Sequence, residues 1–265
     1  GSSQPGDKWI KSLTGEKVTW QEKKTACELL SQVLEERPMA APMAGGDFTD
    51  VAKALKKTLG DTNMSVVGCA AKAIGALASA LGPSGFGQHA RKLAPTLLEK
   101  GGVKNVQVTS AVNTALDAIA TSGCVGLVEA IDLGAAGAAD KNPLVQQASL
   151  KWLKTAAVST PAAPLAKLLA PLQSLVLPLT DASVGTVRLA AFEVLAGVAS
   201  ALDDARRATW LEELPQKKVP RVNELLAASG TTTSAATFAP EAGGISGDTA
   251  AAKAPVKGST KGGML

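Results

Sequence analysis

The sequence predicts an all-α fold, a solenoid of six stacked helical hairpins, on three observations. Helix starts recur at Asn63, Asn105, Asn142 and Ser183, and a spacing of roughly 40 residues is the period of HEAT-type hairpins. Each start carries an Asn or Ser able to cap a helix, followed by a run dense in small apolar residues. The chain is 46% apolar but only 3% aromatic, with no tyrosine. Ala, Leu and Val must therefore build the core, and Ala and Leu are strong helix formers.

Taken in order, the first hairpin has a short helix carrying Trp9 and Ile10, a turn around Gly15, and a longer helix from about Thr19. That helix places Ala26, Leu29, Leu30, Val33 and Leu34 at helical spacing. Pro38, Pro42, Gly45 and Gly46 punctuate the loop that follows. The second hairpin is expected over 47–59 and 63–81, with Val66, Val67, Ala70, Ala71, Ile74 and Leu77 as its buried stripe, and Gly82-Pro83-Ser84-Gly85 ending it. The third covers 86–100 and 104–121, pairing Leu93, Leu97 and Leu98 with Val108, Val112, Leu116 and Ile119. In the fourth, a first helix over about 124–139 is weakened by Gly126, Gly134 and Gly137, each costing up to ~1 kcal/mol relative to Ala. Its partner, 142–158, carries Val145, Ala148, Leu150, Trp152 and Leu153. The fifth spans 163–179 and 183–201, and the sixth lies near 203–213 and 217–228. Residues 229–265 lose all periodicity and read as a flexible, slightly basic linker, unable to bury enough apolar area to offset ordering entropy. Residues 1–7 read as a disordered start, with Gly1-Ser2 resembling a cleavage scar.

A net charge of +4 is compatible with an acidic partner but short of the clustered cations of a nucleic-acid binder. Cys27, Cys69 and Cys124 are never spaced as C-x-x-C. Among apolar neighbours they read as small hydrophobes, and their odd number favours a reducing, cytoplasmic compartment. No apolar run reaches the ~18–20 residues that span a bilayer, so no membrane partner is expected.

Chemistry finds little to work with. His89 is the single histidine, and neither H-E-x-x-H nor G-x-S-x-G is present. Gly82-x-x-Gly85-x-Gly87 lacks the preceding strand and following G-K-[ST] of a phosphate cradle, so it reads as a turn. Asp117, Glu129 and Asp132 read as solvated helix faces. The expectation is a protein with no catalytic residues, no metal and no cofactor.

What remains is a surface. In a hairpin solenoid the turns inside successive hairpins align along one edge, although they lie some 40 residues apart in the chain. That edge presents Trp20, then Thr62, Asn63 and Met64, then Lys104, then Lys141, then Ser183 and Arg188. A tryptophan at one end with cations beyond it is the composition of a protein-binding edge. Lysines at helix starts run against the helix dipole, which points to selection for something other than helix stability.

At these residues the chain resembles a TOG domain, the six-HEAT module of the ch-TOG-type microtubule polymerase family. The resemblance rests on Trp20-Gln21-Glu22-Lys23-Lys24, Asp61-Thr62-Asn63 leading to Ala70-Ala71-Lys72, Ala94-Pro95-Thr96-Leu97-Leu98-Glu99-Lys100, Asp140-Lys141-Asn142-Pro143, Val187-Arg188 with Phe192-Glu193, and Leu211-Glu212-Glu213-Leu214. It covers residues 8–228 and is nearest the second domain of the family's arrays. It implies a flat, paddle-shaped solenoid whose turns grip a free, curved αβ-tubulin dimer. Trp20, Thr62, Asn63 and Met64 would approach β-tubulin, and Lys104, Lys141 and Arg188 the acidic α-tubulin. It further implies a monomeric module of a plus-end regulator at microtubule plus ends, spindle, centrosome or cilium. A HEAT scaffold with a different protein partner and a CLASP-type or ciliary TOG domain are the alternatives. The chain departs from the family in having one lysine in the third turn, no Pro or acid directly before Val187-Arg188, and a glycine-rich fourth hairpin.

Overall fold

Asparagine side chains open three of the helices where the sequence places them. Asn63 Oδ1 accepts the Ser65 N–H at 2.9 Å, Asn105 Oδ1 that of Val108 at 3.1 Å, and Asn142 Oδ1 that of Leu144 at 3.0 Å. Each satisfies a donor that the first helical turn leaves without a partner. The fifth hairpin differs: the cap position is Val184, which makes no side-chain cap bond, and Ser183 lies outside it.

The computed structural model describes residues 11–13, 15, 17–36 and 48–233. After helical residues 11–13, the helices are α1 (Trp20–Glu36), α2 (Thr49–Leu59), α3 (Met64–Gly101), α4 (Val106–Thr121), α5 (Leu127–Ala138), α6 (Pro143–Val158), α7 (Ala162–Ala166), α8 (Leu169–Val176), α9 (Gly185–Ala201), α10 (Asp204–Glu213) and α11 (Val219–Thr233). A 3-10 turn, Leu177–Asp181, links α8 to the fifth turn. Among the described residues there is no strand. The second helices of the hairpins, α1, the first arm of α3, α4, α6, α9 and α11, pack in that order as one layer. The first helices, from α2 through the second arm of α3 to α5 and α8, form the other, so six hairpins make the expected solenoid.

Helix α3 contains two expected helices. Gly82, at φ 60° and ψ −166°, breaks it in a conformation that glycine adopts far more readily than other residues. The turn expected over 82–85 is thus compressed to one residue, and Pro83 starts the second arm with the φ a helix start needs. By length and composition α3 could cross a membrane, but 61% of its most apolar stretch is buried inside this fold.

The expected stripes of the second, third and fourth hairpins are buried, including Ile74, Leu97, Leu116 and Trp152. All of them except Val66, Val145 and Ala148 belong to one continuous apolar cluster from Leu13 to Val222. The first hairpin differs in part. Ala26, Cys27 and Leu34 are buried, but Leu29 and Val33 are more than half exposed, because α1 is the end helix of its layer and faces α3 on one side only. The fifth hairpin's first helix is broken into α7, α8 and the 3-10 turn: Pro171 has no N–H to continue the ladder and crowds the carbonyl of Lys167, just past α7, and Pro178 stands in the first positions of the 3-10 turn. Helix α11 runs on to Thr233, past the expected end at 228.

The glycines of α5 have a packing reason. A Cβ at Gly137 would fall 1.9 Å from Ser149 Oγ, and one at Gly134 2.8 Å from Leu153 Cγ. Both face α6, and their absent side chains let the two helices meet closely. Two of the acids expected on solvated faces also tie helices together. Asp117 accepts from Thr155 Oγ1 at 2.7 Å, and Glu129 pairs with Arg91 at 2.7 Å. Burial pushes the Cys27 thiol up to about 12 and raises Cys69 and Cys124 as well, in keeping with thiols used as packing groups. Trp9, Ile10, the expected start over 1–7, residues 37–47 and residues 234–265 lie outside the described residues.

Candidate functional site

The turn edge is built from the first residues of the second helices. Trp20 is the first residue of α1, and 45% of it is exposed. Its helix start is fixed by its neighbours: Thr19 donates from its backbone N and its Oγ1 to Glu22 Oε2 at 2.8 and 2.9 Å, and Glu22 N donates back to Thr19 Oγ1 at 3.3 Å. This reciprocal box holds the Glu22 carboxyl below its ordinary pKa, chiefly through the backbone N–H of Thr19. The indole thus stands on a capped helix start with nearly half of the residue exposed.

In the second turn Thr62 is exposed, whereas Asn63 and Met64 are half-buried, Asn63 as a cap and Met64 packed against the core. Lys104 and Lys141 are both exposed, and neither pairs with an acid among the described residues. Arg188 is exposed too, but its Nη1 donates to the carbonyls of Ala182 and Ser183 at 2.7 and 2.8 Å. It clasps its own turn by donating to two carbonyls, whereas the Asn side chains of the other turns accept N–H groups of the helix start.

Sequence reasoning missed Val106. It is the first residue of α4 and 83% exposed, well above any other large apolar side chain described. Aligning first helical positions would have found it, because Trp20, Met64, Val106 and Pro143 all occupy that place in successive hairpins. The edge therefore carries an apolar strip with Lys104 and Lys141 beside it.

Cross-turn bonds hold the strip in register. Lys23 Nζ meets Asp61 Oδ2 at 2.7 Å, joining α1 to the second turn. Asn142 Nδ2 donates to the Gly102 carbonyl at 3.0 Å, joining the fourth turn to the third. Lys218 pairs with Asp181, joining the sixth turn to the fifth, and its Nζ lies 5.8 Å from the Phe192 ring centre. The Lys23 bond and the N–H of Asn63, 2.9 Å from Oδ1, hold the Asp61 carboxyl below its ordinary value. A carboxyl with a lowered folded pKa stabilises the fold fully above its unfolded pKa and loses that contribution as pH falls through the folded one. Asp61→Asn is thus expected to cost about 1 kcal/mol at neutral pH, the gap to wild type closing below pH ~4. Urea melts of both proteins between neutral and acid pH check this; a gap that persists in acid would show the carboxylate charge to be irrelevant.

No family model matches the chain. Among curated proteins, it is 30% identical over 217 residues to protein MOR1 of Arabidopsis thaliana, across 82% of this chain and 11% of that protein. It is 27% identical over 216 residues to protein mini spindles of Drosophila melanogaster, across 79% of this chain and 10% of that protein. A solved structure from work on microtubule plus end tracking by XMAP215, CLIP-170 and EB1 superposes with a TM-score of 0.72 at 26% identity, covering 83% of this chain and 89% of the other. The chain is a TOG domain of the MOR1, XMAP215 and mini spindles family. The TOG fold is seen again in a microtubule polymerase with a TOG domain array, at a TM-score of 0.68 and 23% identity over 84% of this chain and 46% of that one. This TOG domain spans about a tenth of the length of MOR1 and of mini spindles.

Proposed function

We propose that this TOG domain binds a free, curved αβ-tubulin dimer along its turn edge, as one module of a microtubule plus-end polymerase or regulator. The observation that carries this reading is Trp20, a large apolar side chain left 45% exposed on a capped helix start. Its remaining exposed area is worth about 2–3 kcal/mol when covered. Thr62, Met64 and Val106 continue the contact, with Asn63 fixing the second turn. Lys104 and Lys141 add steering towards an acidic surface. Arg188 contributes by holding the shape of the fifth turn as well as by its charge.

The test is size-exclusion chromatography of the chain with unpolymerised αβ-tubulin in low salt. Co-elution supports the reading, and separate elution of the folded domain overturns it. Lys104→Ala and Lys141→Ala are each expected to weaken binding several-fold at about 50 mM salt and much less at about 300 mM, where screening shortens the reach of exposed charges. Losses that do not change with salt would count against steering.

In a longer protein, linked domains of this kind would hold tubulin near a growing end by raising its effective concentration. Relatives named mini spindles and centrosomal protein 224 agree with action on spindle and centrosomal microtubules.

A further inference from the structure

The first turn of α1 carries Trp20 but has no buried side chain to hold it. Residues 20–25 are exposed or half-exposed, and the first buried residue of the helix is Ala26, about 9 Å along the axis from Trp20 at 1.5 Å per residue. The Thr19–Glu22 box closes the helix start on itself and gives it no tie to a neighbour. Lys23 supplies that tie. It lies one helical turn from Trp20, its side chain is only 25% exposed, and its Nζ meets a carboxylate that is 13% exposed. The other oxygen of the same carboxylate receives the Asn63 N–H, and Asn63 Oδ1 receives that of Ser65. One carboxylate thus connects the helix bearing Trp20 to the start of the helix bearing Met64.

We propose that Lys23 is a positioning residue, whose pairing with Asp61 fixes Trp20 relative to Thr62, Asn63 and Met64 so that the first two turns meet tubulin as one preformed unit. This rests on the tubulin-binding reading above. The alternative, a Lys23 that touches tubulin directly, makes the opposite prediction for its partner. Removing the Asp61 charge would free a cation and relieve repulsion from an acidic surface, and binding would hold or improve. Under positioning, Asp61→Asn weakens binding just as Lys23→Met does.

The experiment measures tubulin affinity of wild type, Lys23→Met, Asp61→Asn, the double variant and Lys23→Arg, with two-dimensional NMR of each free domain. The expected result is a loss of about tenfold in each single variant, no further loss in the double, and recovery to within about twofold in Lys23→Arg, since residues acting as one unit are not additive. In the free domain the Trp20 indole N–H and the Asn63 amide should shift in Lys23→Met and Asp61→Asn, while the indoles of Trp152 and Trp210 stay in place. Wild-type affinity or better in Asp61→Asn, or additive losses in the double variant, overturns the proposal. If the wild type itself fails to bind tubulin, the reading beneath falls. The NMR comparison then decides positioning alone, an unmoved Trp20 indole refuting it.

Discussion

Trp20→Ala is expected to abolish co-elution with tubulin while leaving the fold intact. The loss combines the apolar area the indole would bury with the contacts of an interface anchor, together about 2–4 kcal/mol, or roughly 30- to 1,000-fold in affinity. The fold should not register the change. The side chain is nearly half exposed, and the cap that starts α1 is made by Thr19 and Glu22, whose bonds do not involve the indole. Far-ultraviolet circular dichroism should therefore superimpose on wild type, with Tm within a few degrees. Undiminished co-elution would remove Trp20 as an anchor and shift the weight to Val106 and the lysines. A large fall in Tm would mean that the indole serves the hairpin and not a partner.

The opposite pattern is expected at Trp152→Ala. This indole is 1% exposed on α6, which packs against α4 on one side and α9 on the other. Its Nε1 makes no hydrogen bond within the protein, so the substitution breaks no polar contact and the cost is one of packing. Truncating a buried Trp in this way costs about 3–5 kcal/mol. In a stack of hairpins stability passes between neighbours, so the damage should centre on the third to fifth hairpins. Equilibrium urea unfolding gives the total, and amide exchange shows whether protection falls first in α4, α6 and α9. A cost below about 1 kcal/mol would mean that the neighbouring helices collapse into the space, which the spread among such substitutions allows.

Those two tryptophans mark what a sequence can and cannot express. The asparagine caps are local signals, read within a few residues, and Asn63, Asn105 and Asn142 open their helices as expected. The break at Pro171 was also local and was open to reading from its missing N–H. The fate of Leu29 and Val33 was not, because helical spacing assigns an apolar face without saying how many neighbours an end helix has. Arg188 carries the same charge whether it reaches a partner or clasps its own turn. Its bonds to Ala182 and Ser183 became apparent only with the turn's shape. Lys23 and Asp61 look like ordinary surface charges 38 residues apart until the repeat register sets them together.

The single-residue joint at Gly82 bears on how the edge is dimensioned. A connection of several residues could absorb an insertion or let its hairpins slide, but one residue in a left-handed conformation leaves no slack. The chain itself therefore sets the interval between the second and third turns. Here the domain works like a ruler with one graduation cut into the backbone. A partner that matches Trp20 and Met64 must also match Val106 at a fixed distance, or forgo one end of the scale.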